Sequence, residues 1–239
     1  MRRMEKLKRI LLLSTSTVFG GQYLEYAEAE VHQFLEGVGQ VLFVPFALHD
    51  HAGYAARVKI RFAAMGFGLE SLHDAHVAGE KVSRAEAIFI GGGNTFRLLK
   101  ALYDRDLLGA IRERVESGMP YLGSSAGSNV ASPTIRTTND MPIVEPPSLV
   151  ALGLIPFQIN PHYLDPAPGS THMGETREER IVQFLEENET PVVGLREGAM
   201  LQIAAGSCVL KGTSAARVFR RGHAPVELES GATLQPGDW

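Results

Sequence analysis

Short runs of apolar residues alternate along the chain with segments whose apolar positions recur every three or four residues. Continuous apolar runs of this length are typical of strands buried on both faces of a sheet. Glycine or proline follows most of the runs, which marks the places where strands end. The runs that predict the first five strands are 10–13, 41–44, 69–72, 87–90 and 121–122.

The segments between these runs have the spacing of amphipathic helices, with apolar side chains on one face. The helices predicted in this way are 24–35, 54–65, 96–102 and 107–115. Strands that alternate with helices predict an α/β fold, with a mainly parallel, doubly wound sheet covered by helices on both faces.

The C-terminal part has a different pattern. A charged amphipathic helix at 177–187 and a strand at 192–195 are followed by short apolar runs with glycines between them. Closely spaced runs of this kind are typical of antiparallel hairpins. The runs are 200–204, 208–210, 218–220 and 226–228. We therefore expect one α/β domain, residues 1–239, with a β-rich C-terminal edge.

Composition excludes several classes of protein. With 44% apolar and 21% charged residues among 239, the chain has an ordinary globular composition, not that of a disordered, collagen-like or coiled-coil protein. Cys208 is the single cysteine, so neither an internal disulfide nor a cysteine-ligated structural zinc site can form. The formal net charge of −4 argues against a nucleic-acid partner, which would require a basic face.

The N-terminal region has basic residues between positions 2 and 9, followed by an apolar run at 10–13. That run is shorter than the ~7 residues that a secretory signal requires, and no run in the chain approaches the ~18 residues of a membrane span. The sequence therefore predicts a soluble, cytoplasmic protein without a membrane partner.

The segment Gly123-Ser124-Ser125-Ala126-Gly127 fits the pattern G-x-S-x-G. It follows a predicted strand and precedes small residues that can begin a helix, which is the setting of a nucleophile elbow. Small neighbours allow the chain to turn sharply and hold Ser125 exposed. A glycine turn with an N-capping serine is the alternative interpretation.

A second glycine-rich segment, 91–95, has the sequence Gly-Gly-Gly-Asn-Thr between a predicted strand and a predicted helix. Glycines there allow the backbone to approach a ligand, and a helix N-terminus favours negative charge. A phosphate loop, half of an oxyanion hole and a plain tight turn are all compatible with the segment. The serine elbow elsewhere in the chain favours the oxyanion hole.

A serine nucleophile needs a base, and the chain has eight histidines. His49 and His51, and likewise His73 and His76, lie in polar loops without the helical H-E-x-x-H pattern, so we expect neither a metal nor another cofactor. His162 instead follows an apolar run closed by a proline. This places it at the C-terminal end of a strand, where open α/β sheets build their sites.

Together these segments resemble the peptidase E family of serine peptidases, the α-aspartyl dipeptidases. The resemblance extends from residue 11 to residue 228, and Thr-Ile-Arg-Thr-Thr-Asn-Asp-Met-Pro at 134–142 is its most specific stretch. Ser124 departs from the pattern, because an aromatic residue is expected there; it lines the elbow and is expected to alter the pocket width. The loop 163–173 also differs. The matching segments are 91–96, 123–127, 133–142, 158–162 and 174–177.

The resemblance implies metal-independent hydrolysis of dipeptides with an N-terminal aspartate, and a fold related to class I glutamine amidotransferases, which are flavodoxin-like. Small peptides are then the partners, and the chain is a monomer or a homodimer. Matched by position, Ser125 is the nucleophile and His162 the general base. The backbone N–H of Ala126, with that of Gly92 or Gly93, forms the oxyanion hole.

The resemblance also implies residues that bind the substrate. Arg177 is the first candidate for the substrate carboxylate and Arg136 the second, because an arginine offers a bidentate fork. An exposed helix residue paired with a glutamate is the alternative for Arg177. Asn94 and Thr138 are expected at the same site.

Two residues match the position of the acid that orients His162, namely Asp140 and Glu197. Asp140 gives the common chain order of serine, aspartate and histidine. Glu197 follows a strand, as Ser125 and His162 do, and parallel strands that end on one side would bring all three to the carboxyl edge of a sheet. This favours Glu197 and leaves Asp140 for loop order or the substrate amino group.

Three other functions remain open at this stage. Cyanophycinase-like cleavage of β-aspartyl links would use the same residues. A glutamine amidotransferase would need a cysteine where Ser125 stands. A catalytically silent binding module would not need the serine, the histidine and the acids together.

Overall fold

The structure is a computed structural model that describes residues 8–74, 78–166, 169, 171 and 173–234. Its strands and helices follow most of the predicted elements. The strands are β1 (Arg9–Leu13), β2 (Gln40–Val44), β3 (Gly68–Ser71), β4 (Ala87–Ile90), β5 (Tyr121–Ser124), β6 (Gln158–Pro161), β7 (Val192–Leu195), β8 (Ala199–Ala204), β9 (Ser207–Gly212), β10 (Ala216–Phe219), β11 (Val226–Leu228) and β12 (Thr233–Leu234). The helices are α1 (Glu28–Phe34), α2 (His51–Ala64), α3 (Ala78–Arg84), α4 (Thr95–Asp104), α5 (Leu107–Glu116), α6 (Ala126–Asn129) and α7 (Arg177–Glu187).

The larger sheet has the strand order β12-β9-β8-β1-β5-β4-β2-β3. The five strands from β1 to β3 in this order are parallel, and β8, β9 and β12 extend the sheet with antiparallel pairs. The predicted mainly parallel sheet with a β-rich C-terminal edge is therefore confirmed.

Both faces of this sheet are buried, and successive side chains along a strand pack on opposite faces. In β1, Ile10 and Leu12 pack in one hydrophobic cluster with α4 and α5, whereas Leu11 and Leu13 pack in another with α1 and α2. Two covered faces explain why the strands are continuous apolar runs without polar alternation.

A second sheet has the order β11-β10-β7-β6, in which β6 and β7 are parallel. The strands that precede Ser125, His162 and Glu197 therefore belong to two sheets, although a single carboxyl edge was expected. The reason is that β1 already pairs with β5 on one side and with antiparallel β8 on the other. Ile159 and Leu195 share a hydrophobic cluster with Leu12, which packs the second sheet against the first.

The structure also differs locally from the predicted elements. The first helix begins at Glu28 instead of residue 24, because Leu24 has a φ of +54°, which a helix does not accommodate. The helix Ala78–Arg84 was not predicted. In the described part of the chain, no helix has the length and apolar character needed to cross a bilayer.

Candidate active site

Ser125 lies on a sharp turn between β5 and α6, with φ +52° and ψ −109°. A residue other than glycine rarely adopts this backbone conformation, and the small glycines on either side permit it here. A Cβ at Gly123 would lie 2.6 Å from the carbonyl oxygen of Gly127, and one at Gly127 would overlap that of Ile90. The N–H of Ser125 donates to the carbonyl of Leu13 at 3.0 Å, which attaches the turn to β1.

His162 bridges Ser125 and Glu197. Its Nε2 lies 2.9 Å from Oγ of Ser125, and its Nδ1 lies 2.8 Å from Oε1 of Glu197. A carboxylate accepts but cannot donate, so Glu197 favours the tautomer with the proton on Nδ1, and Nε2 is then left to accept from the serine hydroxyl. The arrangement is that of a nucleophile, a base and an orienting acid.

The strands of the second sheet bring His162 and Glu197 together. β6 and β7 are parallel with Pro161 opposite Leu195, so the residues that follow them leave the sheet side by side. Ser14, which follows β1, joins this sheet to the first: its hydroxyl donates to Leu195 O at 2.6 Å and accepts from the N–H of His162 at 2.9 Å.

The glycine segment after β4 approaches the serine closely. A Cβ at Gly92 would lie 3.1 Å from Cβ and 3.7 Å from Oγ of Ser125. Gly93 has a φ of +136°, and a Cβ there would lie 2.6 Å from the carbonyl oxygen of Ala47. The N–H groups of Gly93 and Ala126 have no acceptor among the described residues, so both can donate to an oxygen of a bound substrate.

Asp140 is separate from His162 and belongs to the N-terminus of α4. Its Oδ2 accepts from the N–H of Thr95 at 2.7 Å and from the Thr95 hydroxyl at 2.6 Å. The Thr138 hydroxyl donates to Thr95 Oγ1 at 3.0 Å. Asn94 caps α4 through Arg97 N–H and donates to the carbonyl of Met141 at 2.9 Å.

The two predicted arginines lie in different settings. Arg177 begins α7 and is half-buried; burial and the charge of Arg180 lower its pKa, while attraction to Asp140 opposes them. Arg177 does not line the cleft that contains Ser125, and this electrostatic attraction is its link to Asp140. Arg136 is exposed, its backbone N–H donates to Thr134 Oγ1 at 3.4 Å, and it does not line the cleft that contains Ser125.

Comparison with known proteins agrees with this geometry. The model of peptidase family S51 matches residues 10–210. The chain belongs to peptidase family S51. A Streptomyces coelicolor protein named "Peptidase E" is 54% identical over 225 residues, which is 94% of this chain and 93% of the relative. A Drosophila melanogaster protein named "Probable alpha-aspartyl dipeptidase" is 46% identical over 234 residues, 97% and 98% of the two chains.

The same fold occurs in a solved peptidase from an acI-B1 Actinobacterium. That structure has a TM-score of 0.69 and 16% sequence identity, and the match covers 96% of this chain and 97% of the other. At this identity the likeness extends to the fold alone.

In this S51 peptidase, Ser125 and His162 open into a cleft of about 640 Å³. Tyr23 and Tyr54 form part of its wall, with their hydroxyl oxygens 3.2 Å apart. Burial raises the pKa of both phenols, so both keep their protons at neutral pH. The remaining lining residues are Thr15, Ser16, Thr17, Leu48, Arg57, Gly92, Gly93 and Asp140.

Sequence reasoning missed Ser14 and Arg57. Ser14 directly follows the buried run of β1, and a polar residue at the end of a central strand is a signal that was available. Arg57 lies on the polar face of α2 and has no local signal. Ser124 is fully buried and does not line the cleft, so it does not set the width of the cleft directly.

In the described part of the chain, no cluster of three or more His, Cys, Asp or Glu side chains could hold a metal ion. His76 lies outside the described residues. Nδ1 of His73 lies 2.6 Å from the hydroxyl of Ser71, which is a local contact.

Proposed function

We propose that this S51 peptidase hydrolyses dipeptides with an N-terminal aspartate, through an acyl-enzyme on Ser125. The observation that carries the proposal is the continuous hydrogen-bonded line from Ser125 through His162 to Glu197. The choice of substrate rests on the relatives, one of which is named as a probable α-aspartyl dipeptidase.

In the proposed reaction, His162 Nε2 takes the proton of the Ser125 hydroxyl as Oγ attacks the aspartyl carbonyl carbon. The tetrahedral intermediate then breaks its C–N bond, and the same proton passes to the leaving amine. Water attacks the ester with His162 again as base, which frees aspartate and restores the serine. Glu197 holds the proton on Nδ1 and stabilises the imidazolium.

The oxyanion formed in each step needs donors, and we assign them to the N–H of Ala126 and that of Gly92 or Gly93. Removal of one such donor typically costs about 10²- to 10³-fold in rate. The nearness of Gly92 to Ser125 and the unused N–H groups of Gly93 and Ala126 support this assignment.

The aspartyl residue carries an α-ammonium and a β-carboxylate, and Asp140 and Arg177 are the candidate partners for these two charges. Asp140 would pair with the α-ammonium, and Arg177 with the β-carboxylate. Thr138 and Asn94 would act by holding the Asp140 loop against α4, because their polar atoms are already bonded there. Arg136 stays a weaker candidate on account of its exposed position.

The proposal is tested with the purified chain on Asp-Leu, Asn-Leu, Glu-Leu and isoaspartyl-leucine, with and without EDTA. We expect Asp-Leu to be cleaved far faster than the others, because a site that pairs a carboxylate is left with unpaired charges by the wrong ligand. EDTA should change nothing. Preference for the isoaspartyl peptide would replace the proposal with a β-aspartyl peptidase, and EDTA inhibition would contradict the mechanism.

The cytoplasmic location and the choice between monomer and homodimer stay predictions.

A further inference from the structure

Arg57 is a positive charge in the catalytic cleft that the proposed reaction does not use. It lies on α2 one turn after Tyr54, and its guanidinium stacks over the Tyr54 ring at 5.2 Å from the centroid. It lines the same cleft as Ser125 and His162. Burial is the main effect on Tyr23 and Tyr54 and raises the pKa of both. The positive charge of Arg57 opposes this rise.

The guanidinium of Arg57 makes no ion pair with any described carboxylate. Arg61, one turn further along the same helix, shows the contrast: it binds Glu28 at 2.8 Å and donates to the carbonyl of Tyr23 at 2.8 Å. An arginine neutralised like Arg61 has a structural role. Arg57 keeps its hydrogen-bonding edge available for an anion in the cleft.

Arg57 and Arg177 belong to different parts of the fold, and of the two only Arg57 lines the cleft. Arg177 begins α7 and is attracted to Asp140, whose loop is bonded to the start of α4. Arg57 lies with Tyr23 and Tyr54, on α2 and the segment after β1. The two arginines therefore can bind two different anions.

A dipeptide with N-terminal aspartate carries two anions, its β-carboxylate and the α-carboxylate of the second residue. Resting on the function proposed above, which gives the β-carboxylate to Arg177, we propose that Arg57 binds the α-carboxylate of the second residue. A planar guanidinium takes a carboxylate through two parallel hydrogen bonds. Only the second residue lies between the scissile bond and that carboxylate. The Cα atoms on the two sides of the scissile bond are about 3.8 Å apart.

This role makes Arg57 a specificity-determining residue for peptide length. The second residue offers its α-carboxylate in a dipeptide, whereas in a longer peptide or an amide that group is an uncharged carbonyl. The cleft volume of about 640 Å³ lies within the range of ~300–1,000 Å³ typical of small-ligand sites. The site therefore selects dipeptides by charge as well as by size.

The test compares Asp-Leu with Asp-Leu amide, in the original chain and in Arg57→Gln. We expect Arg57→Gln to lower kcat/KM for Asp-Leu by about ten- to hundredfold through KM, and that for the amide by less than about threefold. Arg57→Lys should retain part of the preference for Asp-Leu. Lys59→Gln is the matched control, since Lys59 is on the same helix but lines a different cleft, and it should leave both substrates unchanged.

The outcomes separate this inference from the function beneath it. An equal loss on both substrates in Arg57→Gln, or a narrowed gap between Asp-Leu and Asn-Leu, would assign Arg57 to the aspartyl residue and overturn the inference while the proposed function stands. Unchanged kinetics in Arg57→Gln would remove Arg57 from substrate binding. If the original chain cleaves neither aspartyl substrate, the proposed function fails and this inference fails with it.

Discussion

Nδ1 of His162 lies 2.8 Å from Oε1 of Glu197, and the two residues follow neighbouring parallel strands of the smaller sheet. Asp140, the other acid considered for this place, gives its carboxylate to the backbone and hydroxyl of Thr95 instead. The two acids are thus held by different parts of the fold, and their substitutions should have different kinetic effects.

Glu197→Gln should lower kcat by about 10²- to 10⁴-fold with little change in KM, because an amide neither holds the required tautomer of His162 nor stabilises its cation. Asp140→Asn should raise KM more than it lowers kcat. Steady-state kinetics on Asp-Leu measure both. Glu145→Gln, an exposed carboxylate with no bond to a described residue, is the control. The reverse pattern would make Asp140 the orienting acid.

Ser125→Ala should abolish turnover without loss of folding, whereas Ser124→Ala should stay active. The hydroxyl of Ser124 is buried and has no hydrogen-bond partner among the described residues, so its removal should keep or raise stability by up to about 1 kcal/mol. Turnover, circular dichroism and urea unfolding check both variants. An active Ser125→Ala with an inactive Ser124→Ala would shift the nucleophile by one residue.

Gly92→Ala should lower kcat by about 10²-fold, because its Cβ would lie 3.1 Å from Cβ of Ser125 and push the donor segment from the nucleophile. Gly109→Ala is the matched control: apart from its chain neighbours and the backbone of its own helix, no heavy atom lies within 4 Å of a Cβ there. On helix α5 it should raise stability by about 0.4–1 kcal/mol and leave kcat unchanged. Full activity in Gly92→Ala would exclude crowding at this glycine.

Cys208 should resist thiol reagents in the folded protein. Burial raises its pKa to about 12, and its side chain is 2% exposed, so little thiolate is available at pH 8. Iodoacetamide should therefore label it only after unfolding in guanidinium, as mass spectrometry can show. Labelling of the native chain at the rate of a free thiol, or inactivation by the reagent, would contradict this.

Asp165→Asn should make the free energy of unfolding less dependent on pH in the acid range. Hydrogen bonding to Arg196, at 2.7 Å, is the main cause that lowers the pKa of Asp165. A depressed pKa contributes stability above the unfolded value of about 4, and that contribution is lost as the pH falls through the folded pKa. Urea midpoints of the variant should be lower than those of the original chain at pH 7 and converge with them toward pH 2. A constant difference across this range would deny Asp165 a role in acid unfolding.

The sequence by itself determined most of the strands and helices and named most of the residues of the proposed catalytic site. The apolar runs predicted the strands, since both faces of the larger sheet are buried and leave no polar alternation. The elbow around Ser125 was predictable because its geometry is local: a Cβ at Gly127 would overlap Ile90. His162 was predictable because it directly follows a strand.

Only the tertiary structure decided which side chains meet. Spacing along the chain left Glu197 and Asp140 both open, and the pairing of β6 with β7 placed Glu197 beside His162. The bond between Ser14 and His162 and the place of Arg57 in the cleft beside Ser125 also became visible only there, because each depends on packing between distant parts of the chain. Local patterns report which face a residue buries, whereas a contact between distant residues depends on how sheets and helices pack together.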